Sequence, residues 1–257
     1  MRFLIGGLAI LAYALWTRRA GLFTVRRSEW RVIWSVGLLF AVQVGLMNHG
    51  IALTSASHST VLLNAYAVHT VLLAHFFIPG DRLRATTLIG VLVAYTGIVV
   101  LFARDFSLDG DTLLGDLVVS ASALLLGERI VYMARAVQRI DPVKLLIWQS
   151  AIGTACFVAA SLLWESDTPT RYTAALAASL FYQGVVVAGF NFLVNTWMLQ
   201  IYRPSVLAPP ALTTPIFGLL IARLVTGDPL TLALLLSGIM VAVGIGISTW
   251  PRRARVP

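Results

Sequence analysis

The sequence predicts an all-α membrane protein, a polytopic helical bundle of two inverted-topology repeats. Three observations carry that expectation. Apolar residues make up 58% of the 257 and charged residues only 12%, with a mean hydropathy of +0.86, outside the range of soluble globular domains. Basic residues gather in alternate breaks between the apolar runs. One phrase is also written twice: "GDRLRATTLIGVLVAYTGIVVL" from Gly80 and "GDPLTLALLLSGIMVAVGIGIS" from Gly227, 147 residues apart and without a gap.

Nine spans are expected, at roughly 1–17, 31–53, 58–78, 86–103, 114–134, 144–164, 175–199, 205–225 and 230–249. Each is close to the ~17–25 residues that cross a bilayer as a helix. Lipid offers no partner to an unpaired backbone group, and no run alternates like a barrel strand. The first run lacks a charged leader and a cleavage site, so it reads as a span and not as a removable signal.

The second run carries Gln43 and Asn48. The third, "HSTVLLNAYAVHTVLLAHFF", holds three of the four histidines. At 100° per residue His58 and His69 share one face, and Asn64 and His75 share another, each pair being eleven residues apart. His69 falls near mid-span with Tyr66 three residues before it. An imidazole there suits proton-coupled exchange and equally suits a hydrogen bond between helices.

The fifth run contains Glu128 and Arg129, the only acid–base neighbours inside a span. Adjacent helical residues point about 100° apart, so each needs its own partner. Glu128 lies about 18 Å along the helix from Asp116 and is expected to face an internal cavity, while Arg129 can snorkel to the surface. The sixth run holds Cys156, a lone cysteine that reads as a small hydrophobe.

The seventh run carries Gln183, Asn191 and Asn195; these amides suit a polar, zwitterionic or sugar-like solute and also serve as glue between helices. The eighth contains "APPALTTPIFG". Pro209, Pro210 and Pro215 remove backbone donors and kink a helix, and Thr213 and Thr214 sit beside the freed carbonyls. The ninth, "GIMVAVGIGIS", is Gly-rich, which in lipid serves close helix packing.

Charge sets the orientation. One set of breaks holds 14 of the 19 basic residues, from Arg18 and Arg19 through Arg82, Arg84, Arg135, Arg139, Lys144 and Arg203 to Arg252, Arg253 and Arg255. The other set collects Asp105, Asp109, Asp111, Asp116, Glu165, Asp167 and Asp228. The positive-inside rule then places the C-terminus in the cytoplasm. Gly80-Asp81 falls at the cytoplasmic face and Gly227-Asp228 outside, so the doubled phrase is inserted upside down. That is the signature of inverted repeats in secondary transporters.

Three segments carry a family resemblance: "LTSASHSTVLLNAYAVHTVLLAHFFIPGDRL", "YRPSVLAPPALTTPIFGLLIARLVTGDPLT" and "GDLVVSASALLLGERIVYMARAVQRIDP". The chain resembles the EamA family of the drug/metabolite transporter superfamily over nearly its whole length. That family usually has Glu at the positions of Asp81 and Asp228. It has ten spans in two sets of five, whereas this chain has four in residues 1–103 and five in 114–250. The opening "MRFLIGGLAIL" resembles the family's second span, so a first, N-terminal helix is expected to be missing.

The resemblance implies a secondary transporter of the inner membrane that exports a small metabolite by alternating access. The spans before the twin turns would line its cavity. Substrate-binding candidates are Gln43, Asn64, Tyr66, His69, Glu128, Gln183, Asn191, Thr213 and Thr214, with Pro209, Pro210 and Pro215 as the kink. The alternative is a non-transporting membrane partner or an inactive, truncated remnant. The expected partners are a small-molecule solute and the lipid bilayer, with a homodimer as one allowed assembly.

Other classes find no support. Without GxxxxGK[ST], and with Lys144 the only lysine, ATP-driven transport from this chain is not expected. HExxH and GxSxG are absent, no enzyme activity, cofactor or metal is expected, and no basic soluble face offers itself to nucleic acid.

Overall fold

The computed structural model describes residues 1–18, 21–102, 112–164, 173–226 and 232–249, and all the regular elements among them are helical. They are α1 (Arg2–Trp16), α2 (Arg27–Ala52), α3 (Ala56–Asn64), α4 (Tyr66–Phe77), α5 (Ala85–Phe102), α6 (Leu113–Ala136) and α7 (Pro142–Trp164). There follow α8 (Ala174–Phe181), a π-helical segment (Tyr182–Asn191), α9 (Phe192–Ile201), α10 (Pro204–Ala211), α11 (Thr214–Thr226) and α12 (Leu232–Thr249).

Among the described residues, six stretches have the length and apolarity to cross a bilayer: Arg27–Ala52, His58–Phe77, Ala85–Phe102, Leu113–Ala136, Pro142–Leu163 and Ala174–Ile201. The other three expected spans appear as shorter pieces. α1 stops at Trp16, α12 starts at Leu232, and the proline-rich span is divided into α10 and α11. The turn at Gly227-Asp228 and the acidic stretch 105–111 lie outside the described residues.

Large apolar side chains face outward along the helices, including Leu4, Leu8 and Leu15 on α1 and Trp34, Leu38 and Val42 on α2. Such stripes would be a liability in water. In lipid they meet a solvent as apolar as themselves.

Two compact units are formed, one from Met1–Gly45 and Tyr132–Ile201, the other from Leu46–Val131 and the chain from Tyr202 onward. Each draws on both halves of the sequence. In the first, Phe3, Phe40, Phe157 and Phe192 build an aromatic core with ring centroids 4.8–6.4 Å apart. The sole lysine, Lys144, is buried at the start of α7. Its Nζ donates to Glu29 (2.6 Å) and to the Thr24 carbonyl (2.7 Å), so the buried charge is both paired and hydrogen-bonded.

The second unit is centred on α5 and α12. Gly90 meets Gly244 and Ser248, while Gly97 meets Ser237, Met240 and Val241, so the two helices run antiparallel. A Cβ on either Gly90 or Gly244 would lie 2.5 Å from the other's carbonyl oxygen. Only hydrogen at these positions lets the backbones approach so closely. Val61, Ala67 and Val71 from α3–α4 and Ala208 and Leu212 from the α10 region complete this core.

Two predicted spans are locally irregular. The third tightens at Ala65, which keeps helical φ and ψ while its N–H turns back to the Leu62 carbonyl (3.2 Å), so His58–Phe77 still runs as one stretch. The eighth divides at Leu212–Thr213, where the Leu212 N–H donates to the Pro209 carbonyl (3.1 Å). Ala65 and Leu212 are 147 positions apart, the spacing of the doubled phrase. The Gly80-Asp81 turn, with Gly80 at φ 81, meets α10 at its start. Asp81 accepts hydrogen bonds from the Ser205 backbone and hydroxyl, and Arg203 donates to the Gly80 carbonyl (2.6 Å). A buried carboxylate thus satisfies a donor at the start of α10.

Candidate functional site

One polar site in the second unit lies at the crossing of α4 and α6. A Cβ on Gly127 would lie 2.9 Å from the His69 Cβ and 3.1 Å from the Thr70 nitrogen, so α6 rests directly on α4 at this level. Glu128, the next residue, is exposed and has no ion-pair partner among the described residues. The Nδ1 of His69 and the hydroxyl of Thr70 are buried without hydrogen bonds. Such groups carry a desolvation cost until a partner arrives. The fold therefore brings His69 and the segment Gly127–Arg129 to one level, with Tyr66 one helical turn before His69.

Other sequence candidates on these spans have local occupations. Asn64 donates to the Thr60 carbonyl (2.7 Å). The Nδ1 of His75 accepts from the Leu83 N–H (3.1 Å), holding the turn that follows α4. Thr213 donates to the Pro210 carbonyl (2.8 Å), and Thr214 is exposed as the first residue of α11. Pro209 and Pro210 lie inside α10, while Pro215 is the second residue of α11 and has no N–H to return to the preceding turn.

In the first unit, Gln183 and Asn191 fall on the π-helical segment. Its small residues Gly184, Ala188 and Gly189 pack against α1 around Gly6 and Ile5. The widened turn re-aims side chains, a feature that often accompanies functional sites. Gln183 accepts from Arg2 (3.4 Å) and donates to Ser179 (3.1 Å). Asn195 donates to the side chain of Asn191 (2.7 Å), and both amides are exposed. Ser179, Gln183, Asn191 and Asn195 mark a polar line along this span. Gln43 is buried in the same unit on α2.

Sequence reasoning missed Asp116, which accepts from Thr54 (2.6 Å) and from the Nδ1 of His58 (2.8 Å). The only hint was an acid in the first turn of one span and a histidine in the first turn of another. No group of three or more metal-ligating side chains occurs among the described residues.

Long apolar helices with buried and half-buried polar residues define an integral membrane protein of the helical-bundle class. A model of the EamA-like transporter family matches residues 1–103 and 113–250. The chain belongs to that family.

The uncharacterised transporter YoaV of Bacillus subtilis (strain 168) is 21% identical over 208 residues, covering 80% of this chain and 71% of its own. YvbV of the same organism is 23% identical, covering 95% and 79%. An Escherichia coli (strain K12) protein described as a probable amino-acid metabolite efflux pump is 25% identical, covering 78% and 69%. A crystal structure 20% identical in sequence shares the fold with a TM-score of 0.84, over 97% of this chain and 86% of that one.

Proposed function

We propose that this membrane transporter exports a small zwitterionic metabolite of the amino-acid class across the inner membrane. The mechanism is alternating access, performed by two inverted repeats. The observation that carries this reading is the matched pair of irregular spans, tightened at Ala65 and divided at Leu212–Thr213, 147 positions apart. Discontinuous helices in corresponding positions of two repeats are where transporter sites form.

The antiparallel α5–α12 crossing supports the same symmetry. Adding 147 carries Gly97 to Gly244 and Gly90 to Ser237, so the contact of Gly90 with Gly244 is the image of that between Ser237 and Gly97. Nine spans would leave the C-terminus in the cytoplasm, a placement that the distribution of arginines supports. The substrate class is supported by the exposed carboxylate of Glu128 in the second unit, which matches an ammonium better than an apolar solute. The name of the Escherichia coli relative points the same way.

The test is counterflow in proteoliposomes loaded with a mixture of unlabelled amino acids. Labelled amino acid should accumulate transiently against its gradient for at least one member of the mixture. Traces indistinguishable from empty liposomes would favour a non-transporting membrane partner.

A further inference from the structure

Asp116 stands at one end of a long seam. Along α6, Gly115, Val119, Ala123 and Gly127 follow one another at helical spacing. Gly115 lies against Leu53 and Thr54, Val119 against Gly50, and Gly127 against His69 and Thr70. Most of these residues are small, so the contact is mostly van der Waals attraction between closely approached backbones, weak per atom pair. Charge is concentrated at its end.

There the Asp116 carboxylate accepts from the Thr54 hydroxyl at 2.6 Å and from the His58 Nδ1, which is 2.8 and 3.0 Å from its two oxygens. His58 is 1% exposed. Both partners are locally fixed: Ser55 accepts from the His58 N–H (3.1 Å), and Ser120 donates to the Asp116 carbonyl (2.7 Å). Eleven residues further along α6 the seam reaches Gly127 and the His69 level.

We propose that Thr54, His58 and Asp116 form a latch that closes the outer end of this seam, governing access from outside to the His69–Glu128 level. The proposal rests on the transporter reading and its topology, which put the start of α6 at the extracytoplasmic face. Closed, the latch holds the α2–α3 turn against α6. Opening requires the three groups to exchange one another for water, after which only smooth apolar contact holds the seam. A charged group hydrogen-bonded twice gives that step a barrier which a neutral pair would not.

The experiment uses the full chain with Cys156→Ser and a reporter, Ser122→Cys, at a fully buried position on α6 between the latch and Gly127. Labelling by a membrane-impermeant maleimide is followed from the outside of intact cells. With the latch intact labelling should be slow. Asp116→Ala should speed it by about tenfold or more, and His58→Gln and Thr54→Val by smaller factors. Should Asp116→Ala fail to insert, the two milder variants decide.

A second arm cross-links Thr54→Cys to Asp116→Cys in the Cys156→Ser background. The oxidised protein should lose counterflow and recover it with reductant. Unchanged labelling in the variants, or undiminished counterflow in the cross-linked protein, overturns the latch. A wild-type chain without counterflow overturns the transporter reading instead, and the labelling rates still report on the latch.

Discussion

The spans α3–α4 and α10–α11 lose helical regularity at the same register for different physical reasons. α10–α11 is broken by composition: Pro209 and Pro210 crowd the last turn of α10, Pro215 opens α11, and the chain between them tightens into i→i+3 bonds. α3–α4 contains no proline. Instead Ser59, Thr60 and Asn64 all turn their side chains back to carbonyls four residues earlier, at 2.7–2.8 Å. Side chains that compete in this way for helical carbonyls loosen and bend a helix. A helix can therefore be loosened at matching positions by unrelated sequences.

The two spans also differ in what they carry. α4 brings the unpartnered His69 to the level of Glu128, while α10–α11 offers backbone and hydroxyls. If the first span carries the chemistry and the second mainly the bend, the largest effect should come from Glu128→Gln. Transport driven by an imposed pH gradient should fall to background while substrate–substrate exchange persists, because the amide keeps the shape and loses the titratable group. His69→Gln should shift the pH optimum more mildly. Proteoliposome uptake with and without the gradient separates these outcomes. Gradient-driven transport retained in Glu128→Gln would make Glu128 a structural residue.

Next in size is the joint replacement of Pro209, Pro210 and Pro215 by Ala. An interior proline disfavours a straight helix by roughly 3 kcal/mol, so the straightened span should be favoured and exchange slowed by about tenfold or more, with insertion unchanged. Wild-type exchange would mean that the bend is incidental.

The smallest effect is expected at the irregular turn without proline. Asn64→Leu removes one back-bond worth about 0.5–1.5 kcal/mol. Exchange should slow by a few-fold, and Thr60→Val should add to the loss. An equal or larger loss here than in the triple proline variant would reverse the comparison.

Much of the architecture was legible in residue type and spacing. Apolar runs marked the helices, and the repeated Gly97 and Gly244 both fall on the antiparallel crossing, where packing demands hydrogen at the Cα. The site was less legible. Spacing put His69 at mid-span but could not show that Gly127 brings Glu128 beside that level. The tightened turn at Ala65 has no proline to announce it, and the π-helical turn around Gln183 and Asn191 depends on packing against α1. Asn64, Thr213 and His75 each bond to a backbone group three to eight residues away, which their helical spacing alone does not reveal. The role of Asp116 is hidden in the sequence because its partners lie 58 and 62 residues away.

One unit present twice in opposite orientations would put its twin turns on opposite sides of the membrane, and their sidedness can be measured. In a Cys156→Ser background, single cysteines at Arg82→Cys and Pro229→Cys would be exposed to a membrane-impermeant thiol reagent in intact cells. Position 229 should label from outside, and position 82 only after the membrane is permeabilised. Labelling of both turns from the same side would contradict the inverted repeat and the mechanism built on it.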